Sequence, residues 1–215
     1  MVEVIPAILT TDIREIEEKI GLAEGLVKRV QIDVLDGVFA PNRTIDPAFL
    51  ERIETDLDLD FHLMTKEPAD WVERAVRGGA GRIIGQIEKM ESQLDFVGKV
   101  QEVGPSVGLA VDLETRISEL DPAVVTSLDV VLLMSVPAGF GGQEFDDRVI
   151  AKIKELSELR AKDASAFRIC VDGGINEGNI KGVVKAGADE VAIGRGIFDG
   201  SLQDNLERFI KVANG

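Results

Sequence analysis

Short runs of Val, Ile and Leu alternate along the chain with longer stretches in which apolar residues recur every third or fourth position, and turn residues separate the two. The runs VEVIPAIL (2–9), VKRVQIDVL (27–35), LDFHLM (59–64), GRIIGQI (81–87), SVGLAVD (106–112), DVVLLMS (129–135), FRICVDG (167–173) and EVAIGR (190–195) predict eight strands. Helical stretches fill the gaps: DIREIEEKIGLAEG, DPAFLERIETD, PADWVERAVRGG, KMESQLDFVGKVQEVG, a short RISELD, DRVIAKIKELSELRAK, NEGNIKGVVKAGA and LQDNLERFIKVA. Ile150, Ile153 and Leu156, with charges between them, mark the buried stripe of one such helix.

Strands joined by helices run parallel, and eight such units in a chain of this length favour a closed (β/α)8 TIM barrel over an open doubly wound sheet. The expectation is an α/β protein with a single domain spanning residues 1–215. Active sites of barrels lie at the C-terminal ends of the strands. That places Gln31, Asp33, Asp36, His62, Gln86, Asp112 and Asp172 where chemistry is expected. Side chains alternate along a strand, so Gln31 and Asp33 share a face, as do His62 and Met64.

Charge narrows the partners. A formal net charge of −15 argues against sequence-independent binding to nucleic acid or to an anionic membrane, since the phosphate term would be repulsive. No apolar run has the length of a transmembrane helix, and the first twenty residues lack the basic lead of a secretory signal. Cys170 stands alone, which precludes an internal disulfide and suits a reducing cytoplasm. A small molecule is the expected partner.

Glycines cluster after three late strands, in AGFGGQ (138–143), DGGIN (172–176) and GRG (194–196). Backbone N–H groups exposed by glycine make an anion-binding concavity, and the loops after the last two strands of a barrel commonly hold phosphate. Gly139, Gly141, Gly142, Gly173, Gly174, Gly194 and Arg195 are the candidate phosphate-binding residues, the plain alternative being turns that merely need glycine. Asp33 and Asp172, on the second and seventh strands, can approach a substrate from two sides, one removing a proton and the other delivering one. A lone strand-end Asp is more often a cap or a loop anchor. His62 is the sole histidine, and such a residue is commonly a satisfied core group. Taken as a ligand, it completes a set of one nitrogen and two carboxylates that suits Zn, Mn or Fe.

The segments IPAIL, IDVLDGVFAPN, FHLM, LLMSVPAGFGGQ, VDGGIN and AIGRGIF together resemble, in order and spacing, the ribulose-phosphate 3-epimerase family of ribulose-phosphate-binding barrels. The resemblance covers nearly the whole chain. It implies an isomerase, a sugar-phosphate 3-epimerase that inverts C3 of a ketopentose 5-phosphate, D-ribulose 5-phosphate to D-xylulose 5-phosphate, through a cis-enediolate. Asp33 and Asp172 would be catalytic; Asp33, His62, Asp172 and the doubtful Gln31 would hold a divalent metal ion; Leu35, Met64 and Met134 would cap the intermediate. A homo-oligomer is also expected from it.

The departures are local. Gln31 stands where the family usually has a ligating histidine, and Gln86 replaces another. Ala7 replaces serine, Pro137 and Ala138 stand where Asn-Pro is usual, and Arg195 takes a place often held by serine. An oxygen-rich ligand set favours Mn, Fe or Mg over Zn. Three alternatives remain open: an epimerase of a hexulose 6-phosphate, a sugar-phosphate lyase of the same barrel type, and a non-catalytic sugar-phosphate binder. A lyase would carry lysine where this chain has Leu35.

Overall fold

A computed structural model describes residues 1–162 and 166–215. Its eight strands are β1 (Glu3–Ile8), β2 (Arg29–Leu35), β3 (Asp58–Met64), β4 (Ala80–Gln86), β5 (Ser106–Val111), β6 (Val130–Met134), β7 (Arg168–Asp172) and β8 (Glu190–Ile193). They pair in parallel in sequence order, and β1 pairs with β8 to close the barrel. The described α-helices are α1 (Ile13–Ala23), α2 (Val72–Arg77), α3 (Gln93–Val103), α4 (Pro122–Val125), α5 (Arg148–Lys162), α6 (Ile180–Ala186) and α7 (Leu202–Asn214).

In α1 and α7 the apolar pattern and the N-cap agree. In α1, Ile16, Ile20 and Ala23 are buried at helical spacing, and the Asp12 carboxylate accepts from the N–H of Arg14. In α7, Leu202, Leu206, Phe209 and Ala213 face the barrel behind a Ser201 cap. On α5 the buried stripe runs through Val149, Ile153 and Leu156, so it is turned slightly from the expected one and Ile150 lies at its edge. The stretch DPAFLERIETD makes only a 3₁₀ turn at Pro47–Arg52. Phe49 points to solvent at 68% exposure, and the backbone turns extended at Ile53, whose side chain packs against the core, so the segment stops after this turn.

Two apolar cores result from strand alternation. Val30, Ile32 and Val34 of β2 face the helices in the outer core, whereas Gln31, Asp33 and Leu35 point inward. The inner core is a layer of Ile84, Ala110, Val130, Leu132, Cys170 and Ala192. Below it the barrel floor is charged. Arg82 donates to both oxygens of Glu190 (3.1 and 2.8 Å) and to Asp60, whose other oxygen accepts from Arg29 at 2.9 Å. Arg168 pairs with Glu190 at 2.9 Å and with Glu3 at 2.7 Å. Asp60 and Glu190 are fully buried, and every carboxylate there has at least one guanidinium partner.

Candidate active site

The C-terminal ends of the strands surround a cavity of about 520 Å³. Asp33 and Asp172 lie on its wall with Ala7, Met64 and Met134, and the glycine loops and Arg195 form its other end. Local structure fixes both carboxylates. The Thr44 hydroxyl donates to the carbonyl of Asp33 and accepts from the N–H of Leu35, tying down the end of β2. The Ser135 N–H and hydroxyl both donate to the carbonyl of Asp172 at 2.7 and 2.9 Å, which secures β7 against β6.

Four side chains meet at the bottom of the cavity. Gln31 Nε2 donates to Asp33 Oδ1 at 2.8 Å and to Asp172 Oδ2 at 2.6 Å. His62 Nδ1 faces the same two oxygens at 3.4 and 3.7 Å. On the other side of its ring, Nε2 lies 2.8 Å from Gln86 Oε1. An amide oxygen only accepts, so Nε2 carries the proton. The neutral tautomer, the form a cation would require, aims the Nδ1 lone pair between the carboxylates.

Burial pushes the Asp172 carboxyl up, to about 7, and the neighbouring Asp33 charge adds to the effect. Burial alone would lower the pKa of His62, but Asp33, Asp172 and Gln86 outweigh it and the net shift is upward. His62 Nδ1 is buried with no hydrogen-bond partner. This side chain is therefore not the self-satisfied core histidine of the plain alternative. Asp33, His62 and Asp172 each offer a ligand atom within 4.8 Å of the others, and a buried imidazole lone pair beside two carboxylates fits a divalent cation.

At the far end, the phosphate candidates Gly139, Gly141, Gly142, Gly173, Gly174, Gly194 and Arg195 all line the cavity. Gly142 has φ +76°, and a Cβ there would stand 2.5 Å from Arg195 Nη1, so the guanidinium lies directly across this glycine. Gly174 has φ +59° and comes so close to Phe145 that a Cβ would meet its backbone nitrogen at 2.5 Å. Gln143 Nε2 donates to the carbonyls of Pro137 and Phe140 and folds the first glycine loop back on itself.

Other expected residues lie elsewhere. Asp36 accepts from the N–H groups of Val38, Phe39 and Lys66, and Asp112 accepts from those of Leu113 and Ala138, so both organise loops instead of lining the cavity. Leu35 is buried beneath Gly139 and Ala40, while Met64 and Met134 reach the cavity. The structure adds Lys19 of α1 and Phe198. Lys19 Nζ sits 2.6 Å from Glu15 and 5.0 Å from the Phe198 ring centre, at the glycine-lined end. Nothing in the helical stretch around Lys19 distinguishes it from a solvated lysine.

A model of the ribulose-phosphate 3 epimerase family matches residues 3–198. The ribulose-phosphate 3-epimerase of Aquifex aeolicus is 37% identical over 196 residues, covering 90% of this chain and 88% of that protein. That of Bacillus subtilis is 34% identical over 202 residues, covering 92% and 93%. Among solved structures, N-(5'-phosphoribosyl)anthranilate isomerase from Pyrococcus furiosus aligns with TM-score 0.63 at 17% identity, over 100% of this chain and 99% of that one. Phosphoribosyl anthranilate isomerase from Thermococcus kodakaraensis aligns with TM-score 0.67 at 15% identity over 100% of both chains. The two structures share the barrel fold.

Proposed function

This chain belongs to the ribulose-phosphate 3-epimerase family and is an epimerase, and we propose that Asp33 and Asp172 carry its reaction as a paired base and acid. The observation behind this reading is their shared position: two carboxylates from strands on different sides of the barrel, joined through Gln31 Nε2, at the bottom of a cavity whose other end suits phosphate. The substrate is D-ribulose 5-phosphate. Its phosphate is held by the glycine loops, with Arg195 and Lys19 adding positive charge.

The Asp33 carboxylate takes the C3 proton from one face, and the electron pair moves toward the C2 carbonyl to give an enediolate. Asp172, which burial and the neighbouring Asp33 charge push toward its protonated form, delivers a proton to the opposite face of C3, giving D-xylulose 5-phosphate. The roles exchange in the reverse direction. Asp33, His62 and Asp172 would hold a divalent cation, with Gln31 as the fourth candidate, and when bound it would stabilise negative charge on the substrate oxygens. Met64 and Met134 give the cavity an apolar wall that offers no competing proton.

The test is turnover of D-ribulose 5-phosphate in D₂O. Wild-type product should carry deuterium at C3, and Asp33→Asn and Asp172→Asn should each lose on the order of 10²–10⁴ in kcat while still binding inorganic phosphate. Turnover that survives both changes would refute the assignment. Ala7 leaves room on the cavity wall for a longer sugar, so a hexulose 6-phosphate is the comparison substrate. A higher kcat/KM for that sugar would change the substrate and leave the acid and base in place.

A further inference from the structure

Asp33 Oδ1 and Asp172 Oδ2 are claimed twice. They are the oxygens nearest His62 Nδ1, and they are also the two acceptors of Gln31 Nε2. A cation gripped by these oxygens and by His62 Nδ1 would face the positive ends of the Gln31 N–H bonds, so the amide protons and the cation exclude each other. The other end of the same carboxamide, Gln31 Oε1, is buried and has no hydrogen-bond partner. A half-turn about the terminal bond of this side chain exchanges two groups of nearly equal size. It needs no backbone movement, and it presents an oxygen in place of two protons.

We propose that Gln31 is a swivelling crossbar. In one orientation its NH₂ ties Asp33 to Asp172; in the other its Oε1 joins Asp33, His62 and Asp172 around the cation. Binding of the cation is coupled to the turn. The crossbar opposes mutual repulsion of the two carboxylates and keeps them in register when the cation leaves, and it weakens cation binding because two charge-assisted hydrogen bonds are given up each time. A side chain of the same length without a donor would lose the first property. This inference rests on the metal site proposed above.

The Gln31 amide can be followed by ¹⁵N NMR, its proton pair identified by loss in Gln31→Met, or in Gln31→Asn should the first variant not fold. Spectra are taken in chelator and then with saturating Zn²⁺, alongside calorimetric Zn²⁺ binding to wild type and His62→Ala. In chelator both protons should exchange with water at least about tenfold more slowly than those of an exposed glutamine, and Zn²⁺ should shift them. Gln31→Met in chelator should melt at least about 4 °C below wild type. Gln31 amide signals that are the same with and without bound Zn²⁺, or a chelated Gln31→Met as stable as wild type, would overturn the crossbar. Zn²⁺ binding that His62→Ala leaves intact would overturn the underlying metal site instead, so the two failures are distinguishable.

Discussion

Gln86 Oε1 stands 2.8 Å from His62 Nε2 within the barrel wall, where neither side chain reaches solvent. This one contact decides which imidazole nitrogen faces the carboxylates. Gln86 is thus a positioning residue, acting through His62 without touching the cavity.

Replacing Gln86 with leucine should release the ring and weaken divalent-cation binding by about 10–100-fold, as outer-shell changes commonly do. Gln86→Glu retains the acceptor and should recover most of the affinity. Equilibrium dialysis with Mn²⁺ measures this, and the ¹⁵N shifts of His62 report the tautomer independently of binding. Unchanged shifts in Gln86→Leu would show that something else orients the ring.

Arg195 crosses Gly142 at the glycine-lined end of the cavity. A charge placed there binds substrate and transition state alike, so its loss should appear in KM and not in kcat. Arg195→Ala should raise KM for the sugar phosphate about tenfold and weaken competition by inorganic phosphate in parallel. A fall in kcat with unchanged KM would assign the residue a different role.

Stability should depend on pH with a definite sign. Burial pushes Asp172 to about 7 and Asp60 to about 6, the latter despite Arg82 and Arg29, against an ordinary 3.8 for both. The folded protein therefore keeps protons that the unfolded chain has already released. Their contribution to stability is complete below about pH 4 and is lost as pH rises through 6 and 7. In chelator, the urea midpoint should fall between pH 5 and 8, and Asp172→Asn should flatten the upper part of that fall. A midpoint that rises across this window would contradict both shifts.

Much of this architecture was legible in the chain. Strands of a parallel barrel are covered on both faces and read as continuous apolar runs, which is why all eight strands lie within a residue or two of their expected positions. The helices were less legible where periodicity is short: Pro47–Arg52 makes only a 3₁₀ turn, and α4 was not expected at all. Alternation brought Gln31, Asp33 and His62 to one place as anticipated, whereas Asp36, three residues beyond Asp33 and one past the end of β2, was grouped with them although its parity turns it away. It is surrounded instead by N–H groups. The floor was illegible for a different reason. Asp60, Arg82 and Glu190 read as ordinary charged strand residues until closure of the barrel sets them facing one another.

The charged floor also sets the direction in which the site faces. With Arg82, Asp60 and Glu190 locked together beneath the apolar layer of Ile84, Leu132 and Cys170, one apolar and one charged layer separate Asp33 and Asp172 from the N-terminal end of the barrel. The cavity that reaches Asp33 and Asp172 is lined toward its glycine-rich end by Phe140, Arg195 and Phe198, so the two carboxylates and the guanidinium share one compartment.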